Sequence, residues 1–137
     1  MKKTVLLTLL GSVSLFAHTL TVEVSNIENS RGQILIGLYN QADGFTKIDR
    51  VYTKGVLTTL DSSRVSYTFT DIPDGEYAIS VFHDENSNSE LDTNFIGIPK
   101  EGYGFSNNVR PMLRAATFDE AKFSVEGDLN ISIKMGY

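Results

Sequence analysis

The sequence predicts an all-β fold: an antiparallel β-sandwich of about seven strands, with long loops and at most one or two short helical turns. Three observations carry that prediction. Apolar and polar residues alternate with period two in several short runs, the pattern of a strand with one buried face. Turn residues recur about every 8–12 positions, as in sandwiches and barrels. No long stretch places apolar residues at helical spacing.

The chain opens with a segment that belongs to targeting rather than to the fold. Lys2 and Lys3 precede a mostly apolar run over 5–16, too short to cross a bilayer comfortably, and Ala17 offers a cleavage point. We therefore expect a signal peptide over residues 1–17 and a single sandwich domain over 18–137. The protein would be exported, periplasmic or secreted, with no membrane span in the mature chain. It has no Cys. A lipoprotein is thus not expected, and the domain must hold together by its apolar core, with or without a metal, rather than by disulfides.

Residues 19–24 alternate, with Leu20, Val22 and Val24 on one face. After a polar turn over 26–32, residues 33–39 carry Ile34, Ile36 and Leu38 on one face and Leu35 and Tyr39 on the other, which predicts a central strand covered on both sides. Residues 40–60 are less regular. Ile48, Val51 and Tyr52 fit one helical turn or an irregular crossover, followed by a strand over 56–60. Residues 64–70 alternate again through Val65, Tyr67 and Phe69. Asp71-Ile72-Pro73-Asp74-Gly75 is a turn signal, because Pro presets φ and Gly accepts positive φ. Residues 76–83 follow with Tyr77, Ile79, Val81 and His83 on one face. The two runs are expected to pair as a hairpin. Thr117 and Glu120 have the spacing of a capping box at the start of a helical turn. Leu129, Ile131, Ile133 and Met135 form the last strand.

Two stretches resemble known families. The run F-T-D-I-P-D-G-E-Y-A-I-S, residues 69–80, is similar to the F-x-x-L-P-x-G-x-Y hairpin of transthyretin-like and collagen-adhesin-B-type sandwiches. That likeness implies a transthyretin-like or Ig-like Greek-key path. The longer run H-D-E-N-S-N-S-E-L-D-T-N-F-I-G-I-P-K-E-G-Y-G-F-S-N-N, residues 83–108, resembles the bacterial exported family catalogued as the domain of unknown function numbered 2141. The resemblance extends over nearly all of the mature chain and implies an exported sandwich of unassigned activity. Ser87 and Ser89 stand where members of that family often carry Gly.

The loop after the 76–83 strand is rich in hard oxygen ligands. Asp84, Asn86, Asn88, Glu90 and Asp92 occupy relative positions 1, 3, 5, 7 and 9. Alternate residues of a curled loop can aim oxygens at one point, and Ca²⁺ takes six to eight of them, Glu90 contributing its carbonyl. The spacing resembles the D-x-D-x-D-G loops of EF-hand and thrombospondin-type repeats, although position 6 is Ser89 and position 12 is Phe95. Ca²⁺ is thus the candidate cofactor. The competing reading is a solvated turn, since Asp, Asn and Ser are ordinary turn residues. A second candidate surface joins His83 to the loop that follows, with Lys100, Glu101, Tyr103, Phe105, Asn107 and Asn108 as its polar and aromatic groups. Loops of this length on a rigid sandwich often carry function. They also serve to plug the end of a sandwich.

Composition removes several functions. With a net charge of −5 the chain lacks the basic stripe that nucleic-acid binding requires. There is no Cys nucleophile, G-x-S-x-G, phosphate loop, dinucleotide fingerprint or H-E-x-x-H. Zinc lacks an N/S ligand set. The chain ends Lys134-Met135-Gly136-Tyr137, without the Tyr-Arg-Gly-Ser ending of transthyretin-like hydrolases. The expectation is an exported cell-envelope binding or structural module for an envelope protein, peptide or glycan, calcium-stabilised through the 84–92 loop. The alternatives are a small periplasmic hydrolase or isomerase using His83 with neighbouring carboxylates, and an accessory domain of a larger envelope assembly.

Overall fold

The computed structural model describes residues 17–58, 60–97 and 99–137. Residues 1–16, nearly all of the expected signal peptide, lie outside the described residues, as do positions 59 and 98. Two sheets form a sandwich. In the three-stranded sheet β1 (His18–Ser25) lies between β4 (Val65–Ile72) and β8 (Leu129–Lys134). In the five-stranded sheet the order is β3 (Thr53–Leu57), β2 (Gln33–Tyr39), β5 (Gly75–Asp84) and β6 (Tyr103–Phe105), and β7 (Phe123–Val125) pairs with the start of β5.

The alternating residues meet between the sheets. Leu20, Val22 and Val24 from β1, Ile34, Ile36 and Leu38 from β2, Phe69 and Ile72 from β4, Tyr77, Ile79 and Val81 from β5, and Ile133 from β8 form one buried cluster. Burying each such side chain contributes roughly 1.5–3 kcal/mol, which makes this cluster the main source of stability in a chain without disulfides. The central position expected of β2 holds: every residue from Ile34 to Tyr39 is buried. Its outer face is covered by a second cluster of Tyr39, Ala78, Phe105, Ala116, Phe118 and Ala121, with Phe45 packed against Tyr39, Phe105 and Phe118. Helix α1 (Phe118–Ala121) supplies part of this cover. It is started by the expected capping box, in which the Thr117 hydroxyl accepts from the Glu120 amide and Glu120 accepts from the Thr117 amide.

Three expectations about the strands are corrected, and two short strands are added. The 64–70 and 76–83 runs do not form a hairpin. β4 pairs antiparallel with β1, and β5 pairs with β2, so the Asp71–Gly75 turn carries the chain from one sheet to the other. The outer faces explain this. Ser66, Thr68 and Thr70 on β4 face solvent, whereas Ala78, Ser80 and Phe82 on β5 lie under loops, so the two strands belong to different layers. The sheet is also not wholly antiparallel, because β8 runs parallel to β1 from Leu20↔Leu129 to Ser25↔Lys134. These are the first and last strands of the domain, and no tight turn links them to dictate direction. The strand placed at 56–60 is instead Thr53–Leu57, preceded by a 3₁₀ turn over Ile48–Arg50. Finally, β6 and β7 are three residues each, too short for period two to register.

Candidate functional site

The end of β5 and the loop after it form the polar half of the candidate region. Asp84 is fully buried at the strand's last position. One carboxylate oxygen accepts the Asn88 amide at 3.1 Å, the other the Ser89 amide at 2.7 Å and the Gln33 side-chain amide at 2.7 Å. The loop therefore curls around Asp84, which requires Ser87 (φ 56°) and Ser89 (φ 62°) to adopt left-handed backbone. Such a conformation is uncommon for a residue with a Cβ, and the bonds to Asp84 offset its cost. At the loop's far side Asp92 accepts hydrogen bonds from the side-chain amides of Asn86 and Asn88, the latter at 2.8 Å. The bond from Asn88, with help from Asn86, holds the Asp92 carboxyl below the usual carboxylate range. The Glu90 amide donates to Asn88 Oδ1 at 3.0 Å, while its side chain is exposed.

Glu101, from the aromatic loop, closes this arrangement. Its buried carboxylate accepts the Glu85 amide at 2.6 Å and the Asp92 amide at 2.9 Å, one oxygen each. The Lys100 amide donates to the Asp92 carbonyl at 2.7 Å, and the Lys100 side chain is exposed. The 1-3-5-9 set is thus brought together around one turn, but its oxygens bond to protein donors. Among the described residues no cluster of three or more His, Asp or Glu side chains is arranged to hold a metal ion. For Asn86 and Asn88 to ligate an ion, their carboxamides would have to turn their oxygens to where the nitrogens meet Asp92.

His83 is fully buried, and both ring nitrogens are engaged. Nε2 donates to the Arg31 carbonyl at 2.6 Å, and Nδ1 accepts from the Tyr137 hydroxyl at 2.7 Å. Burial, the largest influence, raises the Tyr137 hydroxyl above its ordinary pKa and keeps it a donor. The nearest carboxylate oxygen in an ion pair with the ring, on Glu85, is 4.0 Å from Nδ1. The approach of chain to chain here is close: at Gly32 (φ 67°) a Cβ would lie 2.0 Å from the Asp84 carbonyl oxygen.

Asn107 and Asn108 are exposed, and their side chains hold neighbouring backbone; Asn108 also lines a separate hollow with Asn26, Arg110 and Lys134. Asn107 donates to the Glu120 and Lys122 carbonyls, and Asn108 receives the Lys134 amide and donates to the Ser132 carbonyl, capping the free edge of β8. Beside them the buried Ser106 hydroxyl accepts the Ile79 amide and donates to the Ala121 carbonyl, tying β5 to α1. Ser106 and Gln33 are structural residues that the sequence reading did not single out. No buried side-chain nitrogen or oxygen among the described residues lacks a hydrogen-bond partner.

Tyr103 and Phe105 lie elsewhere, on the outer face of β6. They floor a cleft of about 500 Å³ whose walls are Leu91, Ile96 and Pro99 on one side and Leu113, Arg114 and Ala115 on the other. A hollow of about 300 Å³ shares its floor and runs on to Thr46 and Ile48. The two loops that line the cleft are apolar and unusually bare: the lining residues Leu113 and Ile96 are 93 % and 66 % exposed, and their sequence neighbours Phe95 and Met112 100 % and 87 %, whereas no other exposed large apolar side chain among the described residues exceeds 45 %. Sequence reasoning missed these four. The available signal was apolar residues in a stretch with no strand or helix period, Phe95-Ile96 and Met112-Leu113. Three cations lie near the cleft. Lys100 follows the lining residue Pro99, the Arg110 guanidinium sits 4.1 Å over the Tyr103 ring, and Arg114, itself in the lining, pairs through both terminal nitrogens with Glu120.

No curated protein and no solved structure matches the chain, so the transthyretin-like resemblance rests on the 69–80 residues alone. A family model described as "Uncharacterized protein conserved in bacteria (DUF2141)" matches residues 22–133. That span runs from the centre of β1 to the penultimate residue of β8 and includes the acidic loop, the cleft, the second cluster and all of the first but Leu20 and Met135; the chain belongs to this family.

Proposed function

We propose that the protein is an exported cell-envelope binding module that takes its ligand at the apolar cleft on the outer face of the five-stranded sheet. The observation that carries this reading is that Ile96 and Leu113, from two loops some fifteen residues apart in sequence, line one hollow while largely exposed, each next in sequence to a still barer apolar side chain or one nearly as bare, Phe95 and Met112. Isolated exposed apolar residues are ordinary. A contiguous patch bordering a cleft marks an interaction site. Export is supported by the targeting features of residues 1–17 and by β1 opening at His18, so that removing them leaves every described element in place. In this reading the 84–92 loop is a buttress: Glu101 ties it to the cleft-bearing segment, and Ca²⁺ bound by Asp84, Asn86, Asn88 and Asp92 would stiffen it. The hydrolase or isomerase reading lacks comparable support, since His83 has no free nitrogen and no solvent exposure.

The test is to fill the cleft. An environment-sensitive apolar dye such as anilinonaphthalene sulfonate should be taken up by the folded chain in a one-to-one complex. Ala115→Trp, which puts a bulky ring into the cleft from an exposed position, should abolish uptake without lowering the melting temperature. Unchanged uptake by Ala115→Trp would remove the cleft from the function.

A further inference from the structure

We propose that the two loops around the cleft dock the protein on an anionic lipid bilayer, with Phe95, Ile96, Met112 and Leu113 entering the interface and Lys100 and Arg110 meeting the headgroups. The inference rests on the cleft as the binding surface and names its partner. The four apolar side chains are the most exposed large ones described; Ile96 and Leu113 line the cleft, and Phe95 and Met112 adjoin them in sequence. Side chains of this kind gain from transfer into the headgroup–acyl boundary, as on the apolar face of an interfacial helix.

Charge selects the partner. The chain as a whole carries −5. Residues 93–116, however, contain Lys100, Arg110 and Arg114 against one acid, Glu101, which is buried and spent on two backbone amides. Arg114 is neutralised by Glu120 and Lys100 acts electrostatically on the Asp92 carboxylate, but no ion pair among the described residues involves Lys100 or Arg110. Cations beside exposed apolar side chains complement a surface of anionic lipid, each adding to the attraction within a Debye length. A second copy of the chain meeting the first through this patch would bring the same cations face to face, which argues against self-association. A neutral apolar peptide would leave them unused.

Residues 18–137 contain every described element and suffice for the experiment, which also removes the apolar leader as a source of lipid affinity. Co-sedimentation is measured with vesicles of phosphatidylcholine alone and of phosphatidylcholine with phosphatidylglycerol. Partition into the mixed vesicles should be about thirtyfold stronger, the gain expected from two cations at an anionic surface, and should fall as ionic strength rises. The pair Phe95→Asp with Leu113→Asp should lose partition into both. Lys100→Glu should lose much of the anionic preference, and Tyr52→Asp, an exposed residue outside these loops, should change nothing. Circular-dichroism melts check that each variant is folded. Equal partition into both vesicles, insensitivity to salt, or equal loss with Tyr52→Asp overturns the proposal. So does a dimer in sedimentation equilibrium that Leu113→Asp dissolves while vesicles stay unbound. If vesicles fail to bind but Ala115→Trp still abolishes dye uptake, the lipid partner is wrong and the cleft reading stands. If both fail, both fall.

Discussion

The acidic 84–92 loop and the apolar loops around the cleft lie side by side, joined through Asp92, Lys100 and Glu101, yet they are held in opposite ways. The acidic loop is closed on itself. Asp84 binds three donors, Asp92 two side-chain amides, and Glu101 one amide at each end of the turn. The tips of the other two loops make few such bonds and present large apolar side chains to solvent. A loop whose polar groups are saturated has already used its capacity to bind anything but an ion that replaces those bonds. A loop that leaves apolar area exposed retains a driving force for a partner. On the proposed reading the first region is structural and the second takes the partner.

The largest effect should come from breaking the first region. Asp84→Ala leaves the Asn88 and Ser89 amides and the Gln33 side chain without their acceptor, and two of these donors hold left-handed backbone or its neighbour in place. We expect a loss of about 3 kcal/mol, the scale for hydrogen bonds to a charged group together with orphaned buried donors. Asp84→Asn, which keeps one oxygen acceptor, should cost about half of that. Denaturant midpoints at constant slope measure both. A calcium-free midpoint unchanged by Asp84→Ala would mean that the loop is not organised by this carboxylate.

Calcium comes next. If the 84–92 loop binds it with a dissociation constant of about 10⁻⁴–10⁻³ M, typical of extracellular modules, then calcium at ten to a hundred times that value should add about 1–3 kcal/mol. Asp92→Ala is the informative variant, because Asp92 bonds only to side-chain amides at its carboxylate and leaves the Asp84 turn intact. It should abolish the calcium-dependent rise in melting temperature, and magnesium should replace calcium poorly. Equal calcium shifts in wild type and Asp92→Ala would make the loop a closed turn and nothing more.

What could be read from the sequence follows the same division. The inward faces of β1, β2, β5 and β8 were legible because period two survives over six or more residues. The 1-3-5-9 oxygens were legible as a set because turn-forming residues at alternate positions have a direct geometric meaning. Strand partners were not. Asp71-Ile72-Pro73-Asp74-Gly75 reverses the chain equally well within one sheet or between two, and only the cover over Ala78, Ser80 and Phe82 separates the cases. The backbone ties of Asn107 and Asn108 were not legible because a side chain's partner is a long-range fact; the carbonyls of Glu120, Lys122 and Ser132 that they bind are 13 to 24 residues away. The exposed rim was invisible because Phe95 and Leu113 look, in sequence, like residues destined for a core.

Acid should loosen the second region at the Arg114–Glu120 pair. The Arg114 guanidinium, with the cap at Thr117, pushes the Glu120 carboxyl down to about 2 from 4.5. A depressed folded pKa means that this stabilisation is present above pH 4.5 and is lost as pH falls toward 2. Both groups are largely solvated, so the effect on global stability is small and its direction is the test. Glu120→Gln keeps the capping acceptor but drops the charge. Hydrogen exchange at 112–116 should accelerate below pH 4.5 in wild type, after correction for intrinsic rates, and should lack that pH-dependent step in Glu120→Gln. An identical profile in the two would sever the loop from this pair.

The smallest effect is expected at the loop tips themselves, and its smallness is the point. Phe95 and Leu113 are 100 % and 93 % exposed, so their removal takes no apolar area out of the folded chain's interior and leaves no cavity. Surface substitutions of this kind change stability by less than about 0.5 kcal/mol. Phe95→Asp and Leu113→Asp should therefore melt with the wild type, singly and together, and their contributions should add because neither supports the other. The matching core change, Leu38→Ala in β2, removes a fully buried side chain and should cost about 2–5 kcal/mol. Should Phe95→Asp or Leu113→Asp lower the denaturant midpoint by the equivalent of more than about 1 kcal/mol, the tips would be packed in the folded chain in solution. The apolar area would then be consumed internally, and the contrast between a saturated loop and a receptive one would fail. Matched melts alongside lost partition into vesicles would show instead that the area is kept for a partner.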